Sequence, residues 1–146
     1  MGLFDKFTGG GVSAPFNRQE AFAGILLSVV ASDGHISDEE AQDFNARANR
    51  MKLFSEQTGA QFSQMIDRLF QILRKEGSQA LMQRSAQALP SDLRQTAFAV
   101  ATDLVFADGT VDEDEQALVG ELQRVLQIPD DFAERAVEIL HIKNRG

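Results

Sequence analysis

A short acidic pattern occurs twice in this chain, and its two Asp-Gly pairs are 75 positions apart. The first copy runs from Ser32 to Glu40 (SDGHISDEE), and the second runs from Ala107 to Glu115 (ADGTVDEDE). Each copy follows a long apolar stretch and precedes a segment with helical periodicity. Because glycine adopts a positive φ without strain at the end of a helix, each copy predicts a turn between two helices. The repeat therefore indicates an internal duplication.

Apolar residues recur at helical spacing along most of the chain, and no segment alternates with the period of a strand. A chain of 146 residues is long enough to bury one sizeable core. We predict an all-α fold of about seven helices in a single domain, with two halves related by a pseudo-twofold axis. This domain covers residues 17–142, after a flexible Gly-rich leader (1–16) and before a loose C-terminus (143–146). The predicted helices run from just after Asn17 to about Ser32, from Ser37 to about Met51, from Glu56 to Glu76, from Ser78 to just before Pro90, from Ser91 to Ala107, from Asp112 to about Leu126 and from Phe132 to His141.

The composition excludes several classes of protein. The net charge of -8 argues against nucleic acid as a partner, since phosphate binding needs clustered Lys and Arg. The absence of cysteine excludes disulfides and thiolate metal sites. No apolar run reaches the roughly 18 residues of a membrane span, and the apolar stretch at the start is too short for us to expect a signal peptide. We therefore expect a cytoplasmic protein without a transmembrane segment. A short apolar face (Leu3, Phe4, Phe7) docks on its own domain or stays disordered in one interpretation. In the other it contacts a partner or a membrane surface, which leaves a peripheral position at the inner face of the membrane open.

Much of the acidity of the two turns is explained by helix capping. Ser37 with Glu40, and Asp112 with Glu115, have the spacing of capping boxes. Acidic residues in a first helical turn also interact favourably with the helix dipole. Capping gives no role to the aspartate of each Asp-Gly pair. The two turns thus have a capping interpretation and, for the remaining carboxylates, a cation-binding one.

The cation-binding interpretation begins from a comparison with the EF-hand. If Asp33 and Gly34 take loop positions five and six, Glu40 falls at position twelve, where the EF-hand has its bidentate ligand. Positions one and three are then apolar in both copies, so neither turn forms an EF-hand alone. If the two halves pack about the pseudo-twofold axis, both turns can contribute to one site. The converging residues are then Asp33, Glu40, Asp108, Asp112 and Glu115.

The paired turns, their separation and the helical acidic chain around them resemble the tellurite-resistance protein TerB family. The resemblance covers residues from about 17 to 142. It implies a seven-helix fold of two related halves and an acidic surface that holds divalent metal ions, and oxygen ligands favour a hard ion such as Ca²⁺. The residues that match the family's acidic motif are Asp33, Glu39, Glu40, Asp108, Asp112, Asp114 and Glu115.

No arrangement of nucleophile, base and phosphate loop supports catalysis, so we expect a protein that is not an enzyme. Two functions remain open. The chain is either a stress-response protein of the tellurite-resistance type that binds a divalent cation through the paired turns, or an interaction scaffold without metal. In the second case its acidic face docks a basic protein partner, including one at a membrane complex.

Overall fold

Seven α-helices and one short 3₁₀ helix form the structure, a computed structural model that describes residues 15–31, 36–107, 109 and 111–146. No strand occurs in these ranges, so the prediction of an all-α fold is confirmed. The pseudo-twofold relation between the halves stays a prediction. The α-helices are α1 (Arg18–Val30), α2 (Asp38–Asn49), α3 (Gly59–Glu76), α4 (Ser78–Ala88), α5 (Ser91–Val105), α6 (Glu113–Leu126) and α7 (Asp130–Lys143), and the 3₁₀ helix is Lys52–Phe54.

Helix α1 is the centre of the fold. It packs most extensively against α4 and α5, and also contacts α3 and α2. Residues 21–29 are all buried, as expected for a helix that is apolar on every side. Helix α5 also contacts α6 and α7. The helices that precede the two Asp-Gly turns are therefore packed against each other.

Capping boxes are present at the starts of α1, α2 and α6, as predicted for α2 and α6. In each, the N-cap side chain accepts from the backbone N–H three residues on, and that residue's side chain accepts in return. The start of α3 was predicted wrongly at Glu56. The 3₁₀ helix first buries Phe54, and Thr58 with Gln61 then forms a fourth capping box, so α3 begins at Gly59.

Other boundaries differ from the predictions by small amounts. Gly77, with φ of 93°, ends α3, and Ser78 is the first residue of α4. Helix α5 ends at Val105, two residues early, and α7 continues from Asp130 to Lys143. Helix ends fray easily, and shifts of one or two residues do not change which side of each helix faces the core.

Described residues on either side of the seven helices contact the helical body. Residues 1–14 of the predicted leader lie outside the described residues. Phe16 is buried, and the centre of its ring lies 5.2 Å from the guanidinium carbon of Arg68 and 5.0 Å from that of Arg84. Beyond α7, Asn144 Nδ2 donates to Asp103 Oδ1 at 2.8 Å. Within the described ranges, every helix is too short or too polar to cross a membrane.

Candidate functional site

The helices that follow the two Asp-Gly turns hold their capping glutamates in equivalent positions. Glu40 is the third residue of α2, and its Oε1 accepts from Ser37 N at 3.1 Å. Glu115 is the third residue of α6, and its Oε1 accepts from Asp112 N, also at 3.1 Å. The capping box therefore fixes one oxygen of each carboxylate and leaves the other available.

Both glutamates line one cavity of about 320 Å³ between the two halves of the chain, called the turn cavity below. Near them, Arg47 Nε donates to Asp43 Oδ2 at 3.0 Å, so these two charges offset each other. Among the described residues, neither Glu40 nor Glu115 has a cationic partner. The apolar wall of the turn cavity consists of Val29, Val30, Phe44, Leu104, Val105, Ala107 and Leu118.

The second Asp-Gly turn is partly described. Gly109 has a φ of 81°, and its N–H donates to Phe106 O at 2.9 Å. A residue with a side chain is strained at this φ, which explains why glycine occupies position 109. The predicted positive φ at Gly109 is confirmed. Asp33, Gly34 and Asp108 lie outside the described residues, so the predictions for them stay predictions.

The other predicted ligands have different surroundings. Glu39 is exposed and does not line the turn cavity, and Asp112 Oδ1 accepts from Glu115 N at 2.8 Å as the N-cap of α6. Asp114 lines a separate cavity between α4 and α6, with Gln79 and Glu121. The structure thus brings together Glu40 and Glu115. Within the ranges the structure covers, no group of three or more acidic or histidine side chains is placed to hold a metal ion.

The separate cavity contains the residue with the clearest shift in acidity. Arg124 donates hydrogen bonds to the Glu121 carboxylate, and together with a hydrogen bond from Gln79 this lowers the pKa of Glu121. Glu121 in turn raises the pKa of Arg124. This pair is a local contact within α6 and is not part of the turn cavity.

A feature that the sequence analysis missed adjoins the turn cavity. A second cavity of about 210 Å³ lies between α2 and α5 and shares Phe44, Arg47 and Leu104 with the first. Its other lining residues are Leu26, Ala48, Met51, Val100 and Asp103. The two cavities together are called the α2–α5 groove below. The sequence signal for this groove was the polar character of α2, which leaves few apolar side chains to pack against α5. In the structure only Phe44 and Ala48 of α2 are buried.

The comparisons with known proteins agree with this fold. The family described as "Tellurite resistance protein TerB" matches residues 19–138. No match was found among curated proteins or among solved structures. The family match covers most of the chain, including both turns and the helices that flank them, and the chain therefore belongs to the TerB family.

Proposed function

We propose that this chain is a non-enzymatic tellurite-resistance or stress-response protein that binds one divalent cation between its two Asp-Gly turns. The observation that carries the proposal is that Glu40 and Glu115, one from each half, line the same cavity. Each has one oxygen outside its capping hydrogen bond and no cationic partner among the described residues. Two like charges on one cavity favour the entry of a cation, which relieves their repulsion.

The number of ligands explains why both turns are needed. Ca²⁺ takes six to eight oxygens, and the two free glutamate oxygens are too few. Asp33 and Asp108 are the carboxylates to which capping gives no role, and each lies in the turn that leads to one of the glutamates. We propose that these four residues form the protein ligands and that water supplies the rest. An all-oxygen set favours Ca²⁺, Mg²⁺ or Mn²⁺ over soft metals.

Calorimetric titration with Ca²⁺, Mg²⁺ and Mn²⁺ tests this proposal. We expect one ion per chain for the wild type and at least tenfold weaker binding for Asp33→Asn/Asp108→Asn. The matched control is Glu134→Gln/Glu138→Gln, which makes the same charge change at exposed positions of α7 and should bind as the wild type does. Two independent ions per chain, or no binding below millimolar concentration, would contradict a shared site.

A second candidate function is the docking of a basic protein partner on the acidic face without metal. The α2–α5 groove supports it, since it joins an apolar cavity to Glu40 and Glu115, which have no ion-pair partner within the part of the chain that the structure describes. A cation and a basic side chain would be alternative partners for the same two carboxylates, so the two functions would compete for Glu40 and Glu115.

A further inference from the structure

We infer that the α2–α5 groove binds an amphipathic helix of a partner protein, one that carries basic residues beside its apolar face. The inference specifies the partner of the second candidate function. Docking of this helix does not require a bound metal, so an experiment can reject the cation site without rejecting the docking site, and the reverse.

The apolar part of the groove is not covered by the described helices. Helix α2 packs against α1, and a cavity remains between α2 and α5. Phe44 and Ala48 are buried at its base, while Met51, Val100 and Leu104 are only partly buried and line it. An apolar side chain inserted here would shield the exposed parts of these three residues from water, and burial of apolar surface favours binding.

The charges around the groove determine the sign of the partner. Asp43 is paired with Arg47, and Asp103 with Lys143 Nζ at 3.2 Å. Among the described residues, the charges of the groove that have no ion-pair partner are therefore the two glutamates at the end near the turns. They favour Lys or Arg at one end of the bound segment, and the net charge of -8 accelerates its association.

The dimensions favour a helix. The lining residues of α2 run from Glu40 to Ala48, eight residues further along the helix, or about 12 Å at the rise of an α-helix. That length accommodates anchors at i, i+3 or i+4, and i+7, as in other helix-in-groove complexes. The walls are helices, and no sheet edge exists in the described ranges for an added strand. A concave acidic surface also repels anionic lipid.

A fluorescent peptide tests the inference directly. The chain has no Trp and no Tyr, so one Trp in an 18-residue peptide reports on the peptide alone. The probe carries Leu and Trp at helical anchor positions and Lys on the flanks, and a scrambled peptide of the same composition is the control. In EDTA, we expect a blue shift of the Trp emission with the full chain, saturable binding, and at least tenfold weaker binding of the scrambled peptide.

Matched variants of the full chain test the charge and the place of binding. Glu40→Gln/Glu115→Gln keeps both capping boxes, since Gln also serves as the third residue of a capping box. This variant should bind the peptide at least fivefold more weakly than the wild type does. Glu134→Gln/Glu138→Gln makes the same charge change on α7 and should stay within twofold of the wild type. NMR shifts should centre on the residues that line the groove.

Several results would overturn the inference. If the scrambled peptide bound as tightly as the designed one, the attraction would be due to charge alone. If Glu40→Gln/Glu115→Gln and Glu134→Gln/Glu138→Gln bound the peptide equally well, Glu40 and Glu115 would not contact it. Shifts centred on the exposed Ile139 and Ile142 would place binding on α7. A tenfold gain in affinity for Leu3→Ser/Phe4→Ser/Phe7→Ser would assign the groove to the chain's own N-terminal segment.

Discussion

Gly24 of α1 lies so close to Ser85 of α4 that a β-carbon on Gly24 would be 2.1 Å from Ser85 Oγ. Both residues are buried, and α1 and α4 form the most extensive helix pair of the fold. The missing side chain at Gly24 therefore sets how closely the two helices approach. Because α1 also leads into the first Asp-Gly turn, this contact positions one half of the turn cavity.

Gly24→Ala should destabilise the protein even though alanine is the better helix former. Overpacking a core costs about 1–3 kcal/mol, against a gain of about 1 kcal/mol in helix propensity. Ser85→Ala should be nearly neutral, since Ser85 Oγ has no hydrogen-bond partner among the described residues, and it should recover part of the loss in the double variant. Urea unfolding measures all three. A more stable Gly24→Ala protein would show that the helices separate at little cost.

The sequence predicted those parts of the fold whose signals are local. Helical periodicity gave the seven helices, and residues three apart gave the capping boxes that orient Glu40 and Glu115. Contacts between distant segments carried no such signal. The α2–α5 groove depends on Phe44 and Leu104, which are 60 positions apart, and on an incomplete contact between their helices. The separation of Asp114 from the turn cavity likewise follows from which face of α6 packs against α4.

Glu20 combines a capping role with an ion pair. Its Oε1 accepts from Asn17 N at 3.3 Å and its Oε2 from Arg68 Nη1 at 2.7 Å, and its side chain is 10% exposed. Glu20→Gln keeps the capping box and loses the ion pair, while Glu20→Ala loses both. Breaking a fully buried pair costs about 3–5 kcal/mol. Because Arg68 is 30% exposed, we expect about 2 kcal/mol for Glu20→Ala and about half of that for Glu20→Gln. Urea unfolding that gave equal losses for the two variants would contradict the capping contribution.

Asp112 should act as a cap and not as a cation ligand. Asn is as good an N-cap as Asp, so Asp112→Asn should preserve stability, whereas Asp112→Ala should lose about 1 kcal/mol. Cation affinity should be unchanged in Asp112→Asn. Urea unfolding and calorimetry of the same samples check both statements. A tenfold loss of cation affinity in Asp112→Asn would make Asp112 a ligand.

Glu121 should titrate below its ordinary pKa of 4.5 because Arg124 donates hydrogen bonds to it. A carboxyl pKa that is lowered on folding stabilises the protein above the unfolded value, and this stabilisation is lost as the pH falls through the folded value. Arg124→Gln should raise the pKa of Glu121 and reduce that acid-dependent loss. Carboxyl carbon NMR shifts measured against pH test the direction, and an unchanged pKa in the variant would exclude Arg124 as the cause.

The most direct test of a cation shared by both turns is paramagnetic broadening by Mn²⁺ in single-turn variants. In the wild type, substoichiometric Mn²⁺ should broaden the amide signals of Ala31 and Gly109 together, since Ala31 directly precedes the first Asp-Gly turn and Gly109 lies in the second. In Glu115→Gln, which changes only the second turn and keeps its cap, broadening should decline by the same factor at both amides. Full broadening at Ala31 with loss only at Gly109 would show two separate sites and contradict the shared one.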